Sequence, residues 1–232
     1  MTDTSDAPEQ PAAVLFDVDG TLMDTVYLHT VAWWEALRQA GHRIGMTRIH
    51  RCIGMGSDHL LETLLGKDRD PTGDDRMSAS HDALYGQYWS RLTPLEGAAD
   101  LLRACAERGW RVVLASSASD TEAEVMLEAL DAGDAILAVT SSDDVDASKP
   151  APDLVHQALE RAGVPAEHAV FIGDAVWDAQ AAHKAGVPFV GLLSGGFSRE
   201  ELEDAGARRV YTSPAELLDR LDDSPLASPP PA

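Results

Sequence analysis

Short apolar stretches recur along the chain, and several of them end abruptly in polar residues. Their positions are 12–16, 111–115, 135–140, 169–172, 188–193 and 209–211. Apolar residues at helical spacing separate the later stretches, for example Leu101, Leu102 and Cys105. Strands that alternate with helices of this length predict crossover connections, and hence a parallel sheet with helices on both faces. We therefore predict an α/β protein with a doubly wound, Rossmann-like core.

The charge balance narrows the range of partners. The chain has 232 residues, of which 44% are hydrophobic and 25% are charged, as in a globular protein of one large or two small domains. It has 18 lysines and arginines against 39 aspartates and glutamates, which gives a formal net charge of −21. Binding to nucleic acid or to an anionic membrane needs a basic surface, so neither is an expected partner. No apolar run reaches the length of a transmembrane helix.

The two chain ends and the cysteines together favour a cytoplasmic protein. Residues 1–11 are acidic and polar and lack the features of a signal peptide, and residues 223–232 are proline-rich. Both segments are predicted to be disordered tails. Two cysteines, Cys52 and Cys105, make no disulfide framework and are interpreted as buried, reduced thiols in a cytoplasmic protein. The sequence does not specify the oligomeric state, and it is compatible with a monomer.

Two carboxylates follow the first apolar stretch directly, at Asp17 and Asp19. Residues two apart in an extended chain point the same way, so these side chains would leave the strand together. Their charges repel unless a cation or a shared proton stabilises them. An acidic turn is the simple alternative, while a calcium loop is excluded because Leu22 and Leu28 stand where glycine and glutamate are needed. We interpret the pair as metal-supported carboxylates, one of which can act as a nucleophile.

The interval from residue 24 to residue 91 interrupts the alternation, because it is helical throughout. Thr25 is a candidate cap for a first helix that Gly41 ends. Further helices are predicted at 58–65 and 75–90. A helical lobe beside the carboxylates can exclude water from a site there, although a packing role alone is the alternative.

Polar residues also follow the later strands. Ser116 and Ser117 come after the second, where serines often serve only as helix caps, and Ser119 is a candidate cap. Lys149 precedes Pro150, a residue well placed to begin a helix, although a lysine in an acidic loop is often just a surface residue.

The fourth apolar stretch ends in glycine and carboxylates. Asp174 follows it, and Asp178 stands one helical turn further on. Asp178 has an alternative interpretation as charge compensation at a helix amino end.

Four segments together carry a family resemblance. Residues 17–22, Asp-Val-Asp-Gly-Thr-Leu, resemble the first signature of the haloacid dehalogenase-like hydrolase superfamily. Ser116, Lys149-Pro150 and the Gly173-Asp174…Asp178 segment resemble its second, third and fourth signatures, in the same order. The resemblance implies a phosphatase with a helical cap, similar to the phosphoglycolate phosphatase and β-phosphoglucomutase group. It implies a core domain of residues 12–23 and 92–222 and a cap domain of residues 24–91.

The resemblance also implies catalytic roles. Asp17 would attack phosphorus and form an aspartyl-phosphate, and Asp19 would act as general acid and then general base. Lys149, Ser116 and Ser117 would bind the phosphoryl group. Because Asp19 is present, dehalogenation is rejected.

A metal site is implied as well. Mg²⁺ would be held by Asp17, by the backbone carbonyl of Asp19 and by Asp174, with Asp178 in the outer shell or on a metal-bound water.

The helical interval carries hints about the substrate. His29, Ala32 and Trp33 form an HxxAW element similar to that of members that act on sugar phosphates, so His29 is a candidate substrate-binding residue or else a helix-surface histidine. Ser57 stands where the mutase has an arginine. We expect Mg²⁺-dependent hydrolysis of a small phosphorylated metabolite, with a β-phosphoglucomutase-type mutase or a non-catalytic phosphometabolite-binding protein as alternatives.

Overall fold

Six strands form the centre of the molecule. The structure is a computed structural model that describes residues 12–141 and 147–229. The strands lie at the predicted positions, with ends that shift by at most one residue. They are β1 Ala13–Phe16, β2 Arg111–Ala115, β3 Ile136–Thr140, β4 Ala169–Gly173, β5 Phe189–Leu192 and β6 Arg209–Tyr211.

The strands make one parallel sheet in the order β3-β2-β1-β4-β5-β6. The first strand is therefore central, and the order reverses beside it. Phe16, the last residue of β1, is in register with Leu114 of β2 and Ile172 of β4. This register brings the carboxyl ends of the three strands to one edge of the sheet, which is where open α/β sheets place their ligands.

Helices cover both faces of the sheet, and others form a separate region between β1 and β2. The α-helices of the described residues are α1 Val26–Gln39, α2 Met46–His50, α3 Ser57–Leu65, α4 Asp74–Tyr85, α5 Ala98–Glu107, α6 Asp120–Leu130, α7 Asp153–Ala162, α8 Val176–Lys184, α9 Arg199–Asp204 and α10 Pro214–Asp219. Val14 and Phe16 of β1 point into the core that α5, α6 and α10 cover. Ala13 and Leu15 point to the opposite core, under α7, α8 and α9. The alternating side chains of one buried strand thus join two hydrophobic cores, as a Rossmann-like α/β fold requires.

Between β1 and β2 the chain forms α1 to α5, and none of the six strands lies in residues 24–91. The predicted helices at 58–65 and 75–90 correspond to α3 and α4, although residues 86–91 form a 3₁₀ helix. Trp33, Leu37, Ile49 and Leu61 belong to a hydrophobic core of this region. Ala32 of α1, however, packs in the core beneath the sheet, so α1 contacts both regions.

Two local expectations differ from the structure. The helix after Lys149 begins at Asp153, not at Pro150, because residues 149–152 form a turn and a bend before it. Residues 223–229, predicted to belong to a disordered tail, are ordered here. Leu226 is fully buried, and its carbonyl accepts a hydrogen bond of 3.1 Å from the indole of Trp110, so one apolar residue anchors this proline-rich segment. Residues 1–11 and 230–232 lie outside the described part of the chain.

Cys52 and Cys105 are both buried free thiols, as predicted. Among the described residues, no helix combines the length and apolar character needed to cross a bilayer.

Candidate active site

Asp17 lies at the centre of the sheet edge. Its backbone N–H donates a 2.9 Å hydrogen bond to the carbonyl of Ile172, which continues the pairing of β1 with β4 beyond the last residue of β1. Asp174 follows β4 directly, so Asp17 and Asp174 lie on neighbouring strand ends. Ser116 is held in the same way on the other side, where its N–H donates to Thr140 at 3.1 Å.

A buried lysine reaches this edge from the loop before α7. Lys149 is only 1% exposed, and its ammonium contacts the carboxylate of Asp17 and, at 2.9 Å, Oδ1 of Asp178. Burial works against its charge, but the two carboxylates outweigh burial and raise the pKa of Lys149, so it stays protonated.

Asp178 is held from two sides. Its Oδ2 accepts a 3.0 Å hydrogen bond from the backbone N–H of Ala175, just before α8, while its Oδ1 contacts Lys149. Asp178 thus fulfils the helix-end role that sequence analysis considered for it and also orients the lysine. The structure places it beside Asp17 and Asp174, but with both oxygens already engaged.

The three buried carboxylates of Asp17, Asp174 and Asp178 form a group that could hold a metal ion, with ligand atoms within 4.8 Å of one another. Burial raises the pKa of Asp17 to about 7, although Lys149 opposes the shift. Burial, followed by the charges of Asp17 and Asp178, raises the pKa of Asp174 well above its usual range. Such shifts are expected where carboxylates crowd together without a cation, and a bound cation would reverse them.

The surroundings of Asp174 leave space only for small residues. Thr21 donates a 2.9 Å hydrogen bond to its Oδ1. A Cβ atom at Gly195 would lie 1.6 Å from Oδ2 of Asp174, and one at Gly20 would lie 2.6 Å from the same oxygen. Gly20 also has φ of +80°, so the turn after β1 and the approach to Asp174 both favour glycine there. Oxygen donors from carboxylates in such a cradle fit a hard divalent cation.

Asp19 points to different partners from Asp17. Its Oδ1 accepts a 2.5 Å hydrogen bond from the Thr25 hydroxyl and lies 3.1 Å from Nε2 of His29. Thr25 is the residue before α1, as predicted, but its hydroxyl contacts Asp19 and does not cap the helix. Burial works to raise the pKa of Asp19, but His29 and the hydrogen bonds outweigh it, so the pKa is lowered. The two carboxylates after β1 therefore have opposite electrostatic environments.

His29 is a buried site residue and not a helix-surface histidine. Its Nδ1 lies 3.1 Å from Nε2 of His81, whose Nδ1 lies 2.9 Å from Oδ1 of Asp82. Its ring stacks on Tyr85, with centroids 3.8 Å apart. Burial disfavours the charged ring, but Asp19 outweighs burial and raises the pKa of His29, whereas burial lowers the pKa of His81.

Glu122 and His81 also lie at this site, although neither was predicted as a site residue from the sequence. Oε1 of Glu122 lies 3.5 Å from Nε2 of His29, and burial raises the pKa of Glu122 to about 7. Ser119 caps α6 through its hydroxyl, as predicted, and Glu122 stands three residues later. That spacing is typical of a capping box, so the sequence gives no sign that the Glu122 carboxylate instead faces His29.

A cavity of about 510 Å³ opens between the sheet edge and the helical region. Asp17, Asp19, Lys149 and His29 line it, and so does Ser117, whose buried hydroxyl has no hydrogen-bond partner among the described residues. The predicted phosphate-binding residue Ser116 is not in the lining. Its hydroxyl instead accepts a 3.1 Å hydrogen bond from the N–H of Ala118.

Further lining residues come from the helical region, at α1, α3, α4 and the loop between α2 and α3. They are Trp33, Ile53, Gly54, Met55, Gly56, Ser57, Asp58, Leu60, Ser78, His81 and Asp82. The cavity can therefore enclose a small molecule between the strand ends and these helices.

Comparisons with known proteins agree with this geometry. A model of the haloacid dehalogenase-like hydrolase family matches residues 11–186. A phosphoglycolate phosphatase of Rhodospirillum rubrum is 30% identical over 220 residues, which cover 91% of each chain. The crystal structure of a hydrolase from Pseudomonas syringae has a TM-score of 0.87 and 37% identity, over 91% of this chain and 98% of that one. The structure of CbbY from Rhodobacter sphaeroides in complex with phosphate has a TM-score of 0.73 and 28% identity, over 90% and 96%.

The chain belongs to the haloacid dehalogenase-like hydrolase family. Within that family it is an enzyme of the phosphatase class, and the predicted family and fold class are confirmed.

Proposed function

We propose that this phosphatase hydrolyses the phosphate monoester of a small metabolite in two steps, with Mg²⁺ and through an aspartyl-phosphate on Asp17. The observation that carries the proposal is the division of the two carboxylates after β1. Asp17 contacts Lys149 and is one of the three carboxylates that could hold a metal ion, whereas Asp19 contacts Thr25 and His29. Both side chains line one cavity. Two carboxylates in different environments suit two different roles.

In the first step Asp17 attacks phosphorus, and the P–O bond to the leaving alcohol breaks. The alcohol oxygen takes a proton from Asp19, which had received it from His29, 3.1 Å away, and this leaves Asp19 as a carboxylate. In the second step the Asp19 carboxylate removes a proton from water, the water oxygen attacks phosphorus, and the bond between phosphorus and Asp17 breaks. General acid–base assistance of this kind contributes about 10²–10⁴-fold to the rate.

Lys149 supplies positive charge at the proposed phosphoryl position, and a cation held by the carboxylates of Asp17 and Asp174 would add to it. We propose that Asp17 and Asp174 hold Mg²⁺ directly, that the Asp19 carbonyl contributes, and that Asp178 acts from the outer shell through Lys149. A bound Mg²⁺ would offset the charge that develops on the phosphoryl oxygens. Lys149 and Ser117 both line the cavity, and the Ser117 hydroxyl has no hydrogen-bond partner among the described residues.

We also propose a division into domains that serves this chemistry. Residues 12–23 and 92–222 form the core that carries the strand-end residues, and residues 24–91 form a cap. His29 and His81 then belong to the cap and form part of the cavity wall opposite the strand ends. Exclusion of water by such a cap protects the aspartyl-phosphate until hydrolysis.

The test measures phosphate release from sugar phosphates, phosphoglycolate and nucleotides, with Mg²⁺ or with EDTA. We expect Mg²⁺-dependent release that Asp17→Asn abolishes and that Asp19→Asn lowers by about 10²–10⁴-fold. Asp24→Asn is the matched control, because Asp24 is exposed and does not line the cavity. Unchanged turnover in Asp19→Asn would remove its acid–base role.

Phosphorus NMR of the same reactions separates hydrolysis from the mutase alternative. A phosphatase yields inorganic phosphate, whereas a mutase yields a phosphate ester with the phosphoryl group at another position. Bound phosphate ester without either product would favour the non-catalytic binding protein.

A further inference from the structure

The cavity contains little positive charge for a second anionic group of a substrate. Among the described residues that line it, Lys149 is the one lysine, and there is no arginine. The segments outside the described ranges, 1–11, 142–146 and 230–232, contain neither residue type in the sequence. Lys149 itself is shared between Asp17 and Asp178, next to the position of the transferred phosphoryl group.

Three further residues of the cavity lining are acidic. Glu122 from α6, Asp58 from α3 and Asp82 from α4 all line it. Glu122 is only 9% exposed, and its Oε1 has no hydrogen-bond partner among the described residues. His29 is the cationic neighbour, but it lies between the carboxylates of Asp19 and Glu122.

The remaining features that can attract an anion are already engaged. The amino end of α3 lines the cavity, and a helix amino end favours negative charge. Asp58, however, carries a carboxylate in the first turn of that helix and accepts a 2.5 Å hydrogen bond from Ser148. His81 stacks between Trp33 and Tyr85 and contacts Asp82.

We propose that the leaving alcohol of the substrate carries no second anionic group and is either uncharged or bears an ammonium group. This inference rests on the proposed function and specifies its substrate class. A carboxylate close to the phosphate, as in phosphoglycolate, would face Glu122, Asp58 and Asp82 with no lysine or arginine beside it except Lys149, and His29 is already paired with Asp19 and Glu122. A hydroxyl or ammonium group can instead donate hydrogen bonds to these carboxylates.

Three esters of nearly equal size test the proposal with the full-length chain and Mg²⁺. They are phosphoglycolate, 2-hydroxyethyl phosphate and phosphoethanolamine, which differ in the charge of the leaving alcohol. We expect kcat/KM for each of the two non-anionic esters to exceed that for phosphoglycolate by at least about tenfold. Equal or higher kcat/KM for phosphoglycolate would overturn the proposal.

A charge added to the cavity provides a second test. Ser78 of α4 lines the cavity, whereas its neighbour Ala79 is exposed and does not. Ser78→Lys should reduce the discrimination against phosphoglycolate by about tenfold, and Ala79→Lys, with the same charge change on the same helix, should leave it unchanged. Equal effects of the two variants would show that the charge of the cavity wall does not set the preference.

The failure of this inference is distinguishable from failure of the proposed function. p-Nitrophenyl phosphate, run in parallel, reports phosphatase chemistry with little dependence on the cavity wall. Its hydrolysis together with a preference for phosphoglycolate would overturn the substrate class alone. No Mg²⁺-dependent hydrolysis of any of the four esters would remove the proposed function and this inference with it.

Discussion

The ammonium of Lys149 contacts the carboxylate of Asp17, although the two residues are 132 positions apart in the sequence. Both side chains are buried, and Lys149 also contacts Asp178. A buried charge needs such partners, because its removal from water is costly. The contact ties the end of β1 to the loop before α7, and it places a fixed positive charge at the proposed phosphoryl position.

The first prediction concerns this contact. Lys149→Met keeps most of the length of the side chain but leaves two buried carboxylates without their cation. Breaking one side of a buried ion pair costs about 3–5 kcal/mol, so we expect a loss of about 3 kcal/mol in the free energy of unfolding. Urea denaturation without divalent cation measures it, and phosphate release should fall sharply as well.

Lys67→Met is the control for that variant. Lys67 is exposed, and its 3.4 Å contact with Glu62 is a surface ion pair. Such pairs contribute about 0–1 kcal/mol, so its stability should stay close to that of the unchanged chain. Equal losses in the two variants would contradict a special role for the Lys149 contacts.

The strands and the strand-end residues were predictable because their signals are local. A fully buried parallel strand is a continuous apolar run, and its end is marked by the first polar residue. Asp17 and Asp174 stand at two such ends, and the parallel register brings them together. The alternation of strands and helices along the chain was therefore enough to predict that these strand-end residues lie at the same edge of a parallel sheet.

Glu122 and His81 were not predictable in this way. Each has a local interpretation as a helix residue, Glu122 three positions after a capping serine and His81 on a predicted helix. Their contacts with His29 depend on how α1, α4 and α6 pack across the cavity, which no sequence spacing specifies. The ordered segment around Leu226 was missed for the same reason, because its burial depends on Trp110.

The second prediction concerns the glycine beside Asp174. A Cβ atom at Gly195 would lie 1.6 Å from Oδ2 of Asp174, so Gly195→Ala must displace that carboxylate. We expect the concentration of Mg²⁺ that gives half-maximal activity to rise by about tenfold or more, because one proposed ligand moves. A titration of phosphate release with Mg²⁺ measures this.

Gly45→Ala is the matched control. An added Cβ at Gly45 meets no atom within 4 Å, and Gly45 has an ordinary φ of −71°. Its Mg²⁺ dependence should be unchanged. An unchanged Mg²⁺ dependence in Gly195→Ala would argue against Asp174 as a metal ligand.

The third prediction follows from the burial of Glu122 beside His29 and near Asp19 and Asp82. Burial raises the pKa of Glu122 from 4.5 to about 7, so the folded chain holds this proton more tightly than the unfolded chain. The resulting contribution to stability is fully present below the unfolded pKa of 4.5 and is lost as the pH rises through 7. Glutamine cannot ionise, so Glu122→Gln should gain stability over the unchanged chain as the pH rises, by about 1–3 kcal/mol between pH values of about 5.5 and 8.

Urea denaturation at both pH values with EDTA measures the difference, and Glu124→Gln, exposed on the same helix, is the control. A stability difference that is equal at the two pH values would show that Glu122 does not carry a raised pKa in the folded chain.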